Sequence, residues 1–172
     1  MNRIAITGGI GSGKSYVSAL LEARGIPIYN ADNESKRLTV SDEKIRNGLI
    51  ALLGEEVYQG NMLNKTLLAS YLFASSENAA KVNAIIHPCV KADFLRWVDE
   101  HHYCDIVGLE SAILYESGFD DVVDGVLMVY APESLRVERA MKRDGVSEAH
   151  IRARMAAQMD DEMKRQKADW VV

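Results

Sequence analysis

Arg3-Ile4-Ala5-Ile6-Thr7-Gly8-Gly9-Ile10-Gly11-Ser12-Gly13-Lys14-Ser15 is the most informative run in this 172-residue sequence. A short β-like stretch at residues 3–7 leads directly into residues 8–15, which satisfy G-x-x-x-x-G-K-[ST] in full. From Lys14 a helical pattern follows, with Val17, Leu20 and Leu21 on one side and Gly25 where a left-handed cap belongs. Glycines between a strand and a helix let successive N–H groups converge on phosphate oxygens, and the helix N-terminus adds partial positive charge. Lys14 is then placed to bridge β and γ phosphates and Ser15 to offer a hydroxyl to Mg²⁺. The bland alternative, a glycine-rich turn that binds nothing, has no use for strand and helix at these two ends.

Working outward, further β-like runs at residues 26–29, 105–109 and 125–130 alternate with helical patterns. Strand, helix, strand predicts an α/β fold: a mostly parallel P-loop NTPase-type sheet flanked by helices with right-handed crossovers. Between residues 42 and 102 no strand pattern is convincing. Ile45, Leu49 and Leu52, then Leu67, Leu68, Tyr71 and Leu72, then Val82, Ile85 and Ile86 recur helically. The expected organisation is a core from residues 1–41 and 103–172, a helical insertion over 42–102 packed as a flap, and a lid at 137–151.

Composition narrows the function classes. Twenty Lys and Arg against 25 Asp and Glu give a net charge of −5, which argues against a general nucleic-acid binder. Nine of those twenty basic residues lie between Glu133 and Lys167, as a local anion site requires. Cys89 and Cys104 make no disulfide framework, and no apolar run approaches the roughly 18 residues of a membrane span. No membrane partner and a cytoplasmic location are the expectations. The N-terminus reads as a first strand rather than a secretory signal.

A P-loop alone does not separate kinases from GTPases and motor ATPases. The only Asn-Lys pair, Asn64-Lys65-Thr66-Leu67, lies in the helical insertion and lacks the Asp of a guanine signature. Ligands of open α/β sheets gather beyond the carboxyl ends of strands, where Ile28-Tyr29-Asn30-Ala31-Asp32 puts a carboxylate. Asp32 reads equally as a general base for an attacking hydroxyl and as the N-cap of a helix over residues 33–38. Arg136, Arg139 and Arg143 share one face of a helix opening near Pro132, broken after Asp144 at Gly145 and resumed at Ser147. Such a face is either solvated or a lid that neutralises a transferring phosphoryl group. Glu110, ending its strand, can help hold Mg²⁺ through water, with Glu116 as competitor and a solubilising role as the plain alternative.

Other features carry less. His101, His102, Cys104 and Asp105 resemble metal ligands, but adjacent side chains rarely converge on one ion. His87-Pro88 reads as the junction of two helices, with substrate contact left open. Met141, Met155, Met159 and Met163 fall on helical spacings as core filler.

Taken in order, Thr7-Gly8-Gly9-Ile10-Gly11-Ser12-Gly13-Lys14-Ser15, Asn30-Ala31-Asp32, His87-Pro88, Arg139 with Arg143-Asp144-Gly145, Gln158 and Ala168-Asp169 resemble the dephospho-coenzyme A kinase family over essentially the whole chain. The resemblance implies a P-loop core, a helical substrate domain and a lid, with ATP and Mg²⁺ as cofactors. The implied reaction moves the γ-phosphate of ATP to the ribose 3′-hydroxyl of dephospho-coenzyme A, the last step of coenzyme A synthesis. It implies Asp32 as base, with Lys14, Arg139 and Arg143 also catalytic. Gly9, Gly11, Ser12, Gly13, Lys14, Ser15 and Tyr16 would hold the nucleotide. Asp32, Lys36 and His87 would contact the substrate, and Ser15 and Glu110 the metal. A small-molecule substrate, no nucleic-acid partner, and a monomer or weak homo-oligomer complete the expectation.

Four departures stand out. Asn30 replaces a usual Asp, Tyr16 a common Thr, and Ala112-Ile113-Leu114-Tyr115-Glu116 lacks the proline of Pro-Leu-Leu-Phe-Glu. The sequence also stops at Val172, where the family continues with an Asn-bearing loop and a helix near the adenine. The chain is thus either cut short or a short version, and nucleotide affinity is the property exposed. Two alternatives accompany this reading: another nucleotide or metabolite kinase on the same core, and an ATP-binding module without catalysis.

Overall fold

Short runs of apolar β-formers bounded by glycine or acidic residues set the strand positions, and the helices fill the intervals. In the computed structural model all 172 residues are described. The chain runs β1 (Asn2–Thr7), α1 (Lys14–Glu22), β2 (Ile28–Asn30), α2 (Ala31–Ser41), α3 (Glu43–Leu53), a 3₁₀ turn at Glu55–Val57, then β3 (Tyr58–Gln59) and β4 (Met62–Leu63). It continues with α4 (Lys65–Ala74), α5 (Ser76–Glu100), β5 (Ile106–Glu110), a 3₁₀ turn at Phe119–Val122, β6 (Gly125–Met128), α6 (Glu133–Asp144), α7 (Glu148–Ala156), α8 (Asp161–Lys167) and β7 (Trp170–Val171).

By internal contacts the chain forms two units, residues 1–30 with 97–172, and residues 31–96. α2 therefore groups with the helical unit and the last turn of α5 with the sheet unit.

In the sheet unit five strands lie in the order β2-β5-β1-β6-β7, every neighbouring pair parallel. Ala5, Ile6, Val107, Leu109 and Met128 are buried in its centre, as continuous apolar runs in a sheet covered on both faces must be. Ile6 pairs with Glu110, and Asn30 pairs with Glu110 from the other side. The carboxyl ends of β1, β2 and β5 are thereby level.

β7 was not anticipated, because two residues carry no period. It is held by its neighbours: Val172 N–H donates to Met128 O at 2.9 Å, and Tyr130 N–H to Val172 O at 2.8 Å. Asp169 accepts from Val126 N–H at 2.8 Å, which gives the Ala168-Asp169 pair a structural task.

Lys164 of α8 has no exposed surface. Its Nζ donates to Ala112 O at 2.7 Å and faces Glu116 Oε1 at 3.1 Å. Removing one partner of such a contact strands the other, so Lys164→Met is expected to lower stability by about 2–3 kcal/mol. A urea melt against the parent checks this, and an unchanged midpoint would contradict it.

The helical unit packs α3 against α5 closely enough that a Cβ at Gly48 would come within 2.7 Å of Ile85. Ile45, Leu49, Val82, Val90 and Phe94 are buried in this unit. Two expectations are corrected here. A two-stranded antiparallel ribbon, β3 with β4, turns at Gly60 inside the segment read as strandless; two-residue strands are too short to show alternation. His87-Pro88 does not join two helices, because α5 runs through Pro88. The carbonyl of Ala84 that loses a donor there belongs to an exposed residue.

Candidate active site

The loop between β1 and α1 follows from its glycines. Gly13 precedes α1 in the left-handed region, with φ of 105°. At Gly11 φ is +78°, and an added Cβ would lie 2.2 Å from the carbonyl oxygen of Arg136. At Gly9 the need is space: a Cβ would lie 2.1 Å from Arg136 Nη1 and 2.6 Å from Asp161 Oδ1. The loop is thus pressed against the start of α6. Ile10 extends the contact, joining Val137, Ala140 and Ile151 in a small core flanked by Met141 and Met155.

A cavity of about 180 Å³ opens at the start of α1, lined by Gly11, Gly13, Lys14, Ser15, Tyr16, Arg139 and Arg143. Seven of the residues read from sequence therefore meet at one place. Lys14 Nζ rests 3.5 Å from Gly9 O, and Arg139 Nη1 lies 3.4 Å from Ser12 O. Arg143 is oriented by Asp144 through bonds of 2.6 and 3.0 Å, while Arg154 of α7 reaches the same carboxylate at 2.7 Å. These bonds, first from Arg143 and then from Arg154, hold Asp144 well below the usual carboxylate range. Three cationic side chains around a glycine-rich loop suit a polyphosphate.

Ser15 Oγ donates to Glu110 Oε1 at 2.8 Å. A hydroxyl and a carboxylate side by side at the end of the sheet fit the donor set of Mg²⁺, which takes few protein ligands. Glu116, the competitor, is committed elsewhere: it accepts from Met159 N–H at 2.6 Å besides facing Lys164. His101 and His102 each set Nδ1 against a helix carbonyl, of Trp97 and Asp99. No group of three or more potential metal ligands forms there or elsewhere.

Arg136 departs from expectation. It shares the helix with Arg139 and Arg143 but is only 7% exposed, its Nη1 3.0 Å from Asp161 Oδ2. Asp161 was not singled out in the sequence, since nothing local marks a pair 25 positions apart. Burial pushes its carboxyl up from the ordinary value even with Arg136 alongside. Of the methionines, Met163 is exposed rather than core.

In the helical unit Asp32 is an exposed residue inside the first turn of α2, not its N-cap, because the helix already begins at Ala31. Lys36 lies one turn further on, also exposed. α2 is fastened to α5 by Arg37, which bonds Asp93 at 2.8 Å and also Glu34. His87 is half-buried on α5, and desolvation lowers its imidazole from the ordinary value.

A parallel sheet in this order, a strand-to-helix glycine loop carrying Lys and Ser, and arginines turned onto the same cavity define a P-loop kinase. Comparison with known proteins narrows the class. The dephospho-CoA kinase family model matches residues 2–172. A dephospho-CoA kinase of Bacteroides fragilis is 56% identical over 99% of this chain and 83% of its own length. A Thermus thermophilus crystal structure, TT1252, superposes with a TM-score of 0.83 at 35% identity, covering 99% of this chain and 86% of that one. A Campylobacter jejuni dephospho-CoA kinase, at 22% identity, shares the fold with a TM-score of 0.71 over 99% of this chain and 87% of its own. The chain belongs to the dephospho-CoA kinase family.

Proposed function

We propose that this protein transfers the γ-phosphate of ATP to the ribose 3′-hydroxyl of dephospho-coenzyme A, completing coenzyme A. The observation that carries the reading is the cavity at the start of α1, where Lys14, Arg139 and Arg143 surround the glycine loop in a chain of this family. The 3′ oxygen attacks the γ-phosphorus in line, the bond to the β–γ bridging oxygen breaks, and the hydroxyl proton passes to Asp32. Lys14 spans the β and γ phosphates, and Gly9, Gly11, Ser12, Gly13, Ser15 and Tyr16 complete the nucleotide site. Arg139 and Arg143, on a lid over residues 137–151, neutralise charge on the transferring group.

Ser15 directly, and Glu110 through water, would hold Mg²⁺, which when bound offsets phosphate charge. Lys36 of α2 and His87 of the helical substrate insertion, residues 42–102, contact the acceptor. No helix is long and apolar enough to cross a membrane. The proposal is completed by a small-molecule kinase working in the cytoplasm as a monomer or weak homo-oligomer.

The test is product analysis with ATP, Mg²⁺ and dephospho-coenzyme A, run beside AMP, shikimate and a nucleoside. Product phosphorylated at the ribose 3′ position of dephospho-coenzyme A alone is expected. Transfer to another acceptor instead would replace the substrate assignment, and ATP binding without transfer to any would remove the kinase reading.

A further inference from the structure

A phosphate-binding loop works only if its N–H groups already face the anion when it arrives, because turning each peptide afterwards costs binding energy. In a trans peptide the carbonyl of one residue and the N–H of the next point in opposite directions, and no peptide here is cis. Whatever grips a loop carbonyl from behind therefore aims the following N–H forward. α6 reaches two loop carbonyls with side chains one turn apart. Arg136 Nη1 donates to Ile10 O at 3.4 Å, and Arg139 Nη1 to Ser12 O at 3.4 Å. The buried contact is that of Arg136, and the N–H that follows Ile10 O is that of Gly11, which lines the cavity beside Lys14.

The two arginines are not equivalent. Arg139 is exposed and in the cavity wall, free to exchange a carbonyl for a phosphate. Arg136 is buried, its Nε fixed at 3.1 Å on Ala131 O, its Nη1 on Ile10 O and against Asp161. The guanidinium also fills the space that a side chain on Gly9 would take. Asp161, the first residue of α8, braces it with Oδ2 at 3.0 Å from Nη1, and its carboxylate lies beside Gly9 as well.

We infer that Arg136, braced by Asp161, is a positioning residue that presets the phosphate loop and so governs affinity for the polyphosphate without touching it. The inference rests on the reading of this loop as the ATP site.

The experiment uses the full chain and five proteins: the parent, Arg136→Met, Arg136→Lys, Asp161→Asn and the double variant of Arg136→Met with Asp161→Asn. Each is titrated with ATP, assayed for KM toward ATP and toward dephospho-coenzyme A, and melted. Arg136→Met is expected to raise the ATP Kd and KM about 10-fold, with KM for dephospho-coenzyme A within twofold. Asp161→Asn, close to isosteric, is expected to shift ATP affinity about 3-fold. The double variant should bind ATP no worse than Arg136→Met alone, as a role exerted through the guanidinium requires. Arg136→Lys should recover part of the loss, as one ammonium satisfies fewer acceptors than the fork. Lower melting temperatures with ATP affinity unchanged would make the pair merely structural and overturn the inference. So would additive losses in the double variant. If the parent itself binds no ATP, the reading of the loop falls and the inference with it; if only the variants fail to differ, the inference falls alone.

Discussion

Asp32→Asn is expected to lower kcat by 10² or more while leaving KM for ATP within a few fold. Asn fills the same volume and retains an acceptor oxygen but has no basicity at neutral pH, so the change isolates proton transfer. The backbone gives little reason for a structural response. Asp32 is exposed, inside rather than capping the first turn, and α2 is fastened to α5 by the contact of Arg37 with Asp93. Loss of a carboxylate near a helix N-terminus costs about 0.3–1 kcal/mol of stability, too little to unfold the unit. Steady-state kinetics with ATP and dephospho-coenzyme A varied in turn decide the matter. Unchanged turnover would remove Asp32 from the base role, and a rise confined to KM for dephospho-coenzyme A would make it a binding group.

What the sequence disclosed divides along the range of the interactions involved. The strand, loop and helix from Asn2 to Glu22 were legible because glycine placement, the apolar run and the Lys-Ser pair all lie within about twenty positions. Glu110 was legible at one remove: its strand end could be read, and parallel register then set it beside Ser15. Arg136 was legible only in part. Helical spacing put it on a face with Arg139, and both reach carbonyls of the glycine loop, but its burial was decided by Asp161 and by the missing side chain of Gly9, neither adjacent to it in sequence. Asp32 lay between these cases. Residue type allowed a cap or a base, and the start of α2 at Ala31 removes the cap, because a capping residue precedes the first helical position. Pro88 misled because a proline normally closes a helix, whereas here α5 continues through it at an exposed position.

Lys14→Met is the other change from which a large loss is expected, about 10²–10³ in kcat/KM for ATP. The substitution retains much of the apolar stem and removes the ammonium, so packing at the start of α1 changes little. Nζ lies 3.5 Å from Gly9 O, a long contact that a phosphate oxygen readily outcompetes. The neighbouring cations do not replace it. Arg143 is already engaged by Asp144, and Arg139 approaches the loop from α6 rather than from within it. The ammonium alone rises from the first residue of α1, alongside the helix N–H groups that have no intrahelical acceptor. Its charge therefore adds to theirs at the point where negative charge concentrates during transfer. ATP titration together with kcat/KM resolves the two contributions: a Kd increase smaller than the loss in kcat/KM means that Lys14 acts more strongly on the transition state than on bound ATP. A variant with both quantities near the parent values would show that Arg139 and Arg143 suffice, and the loop would lose its claim to organise the transfer.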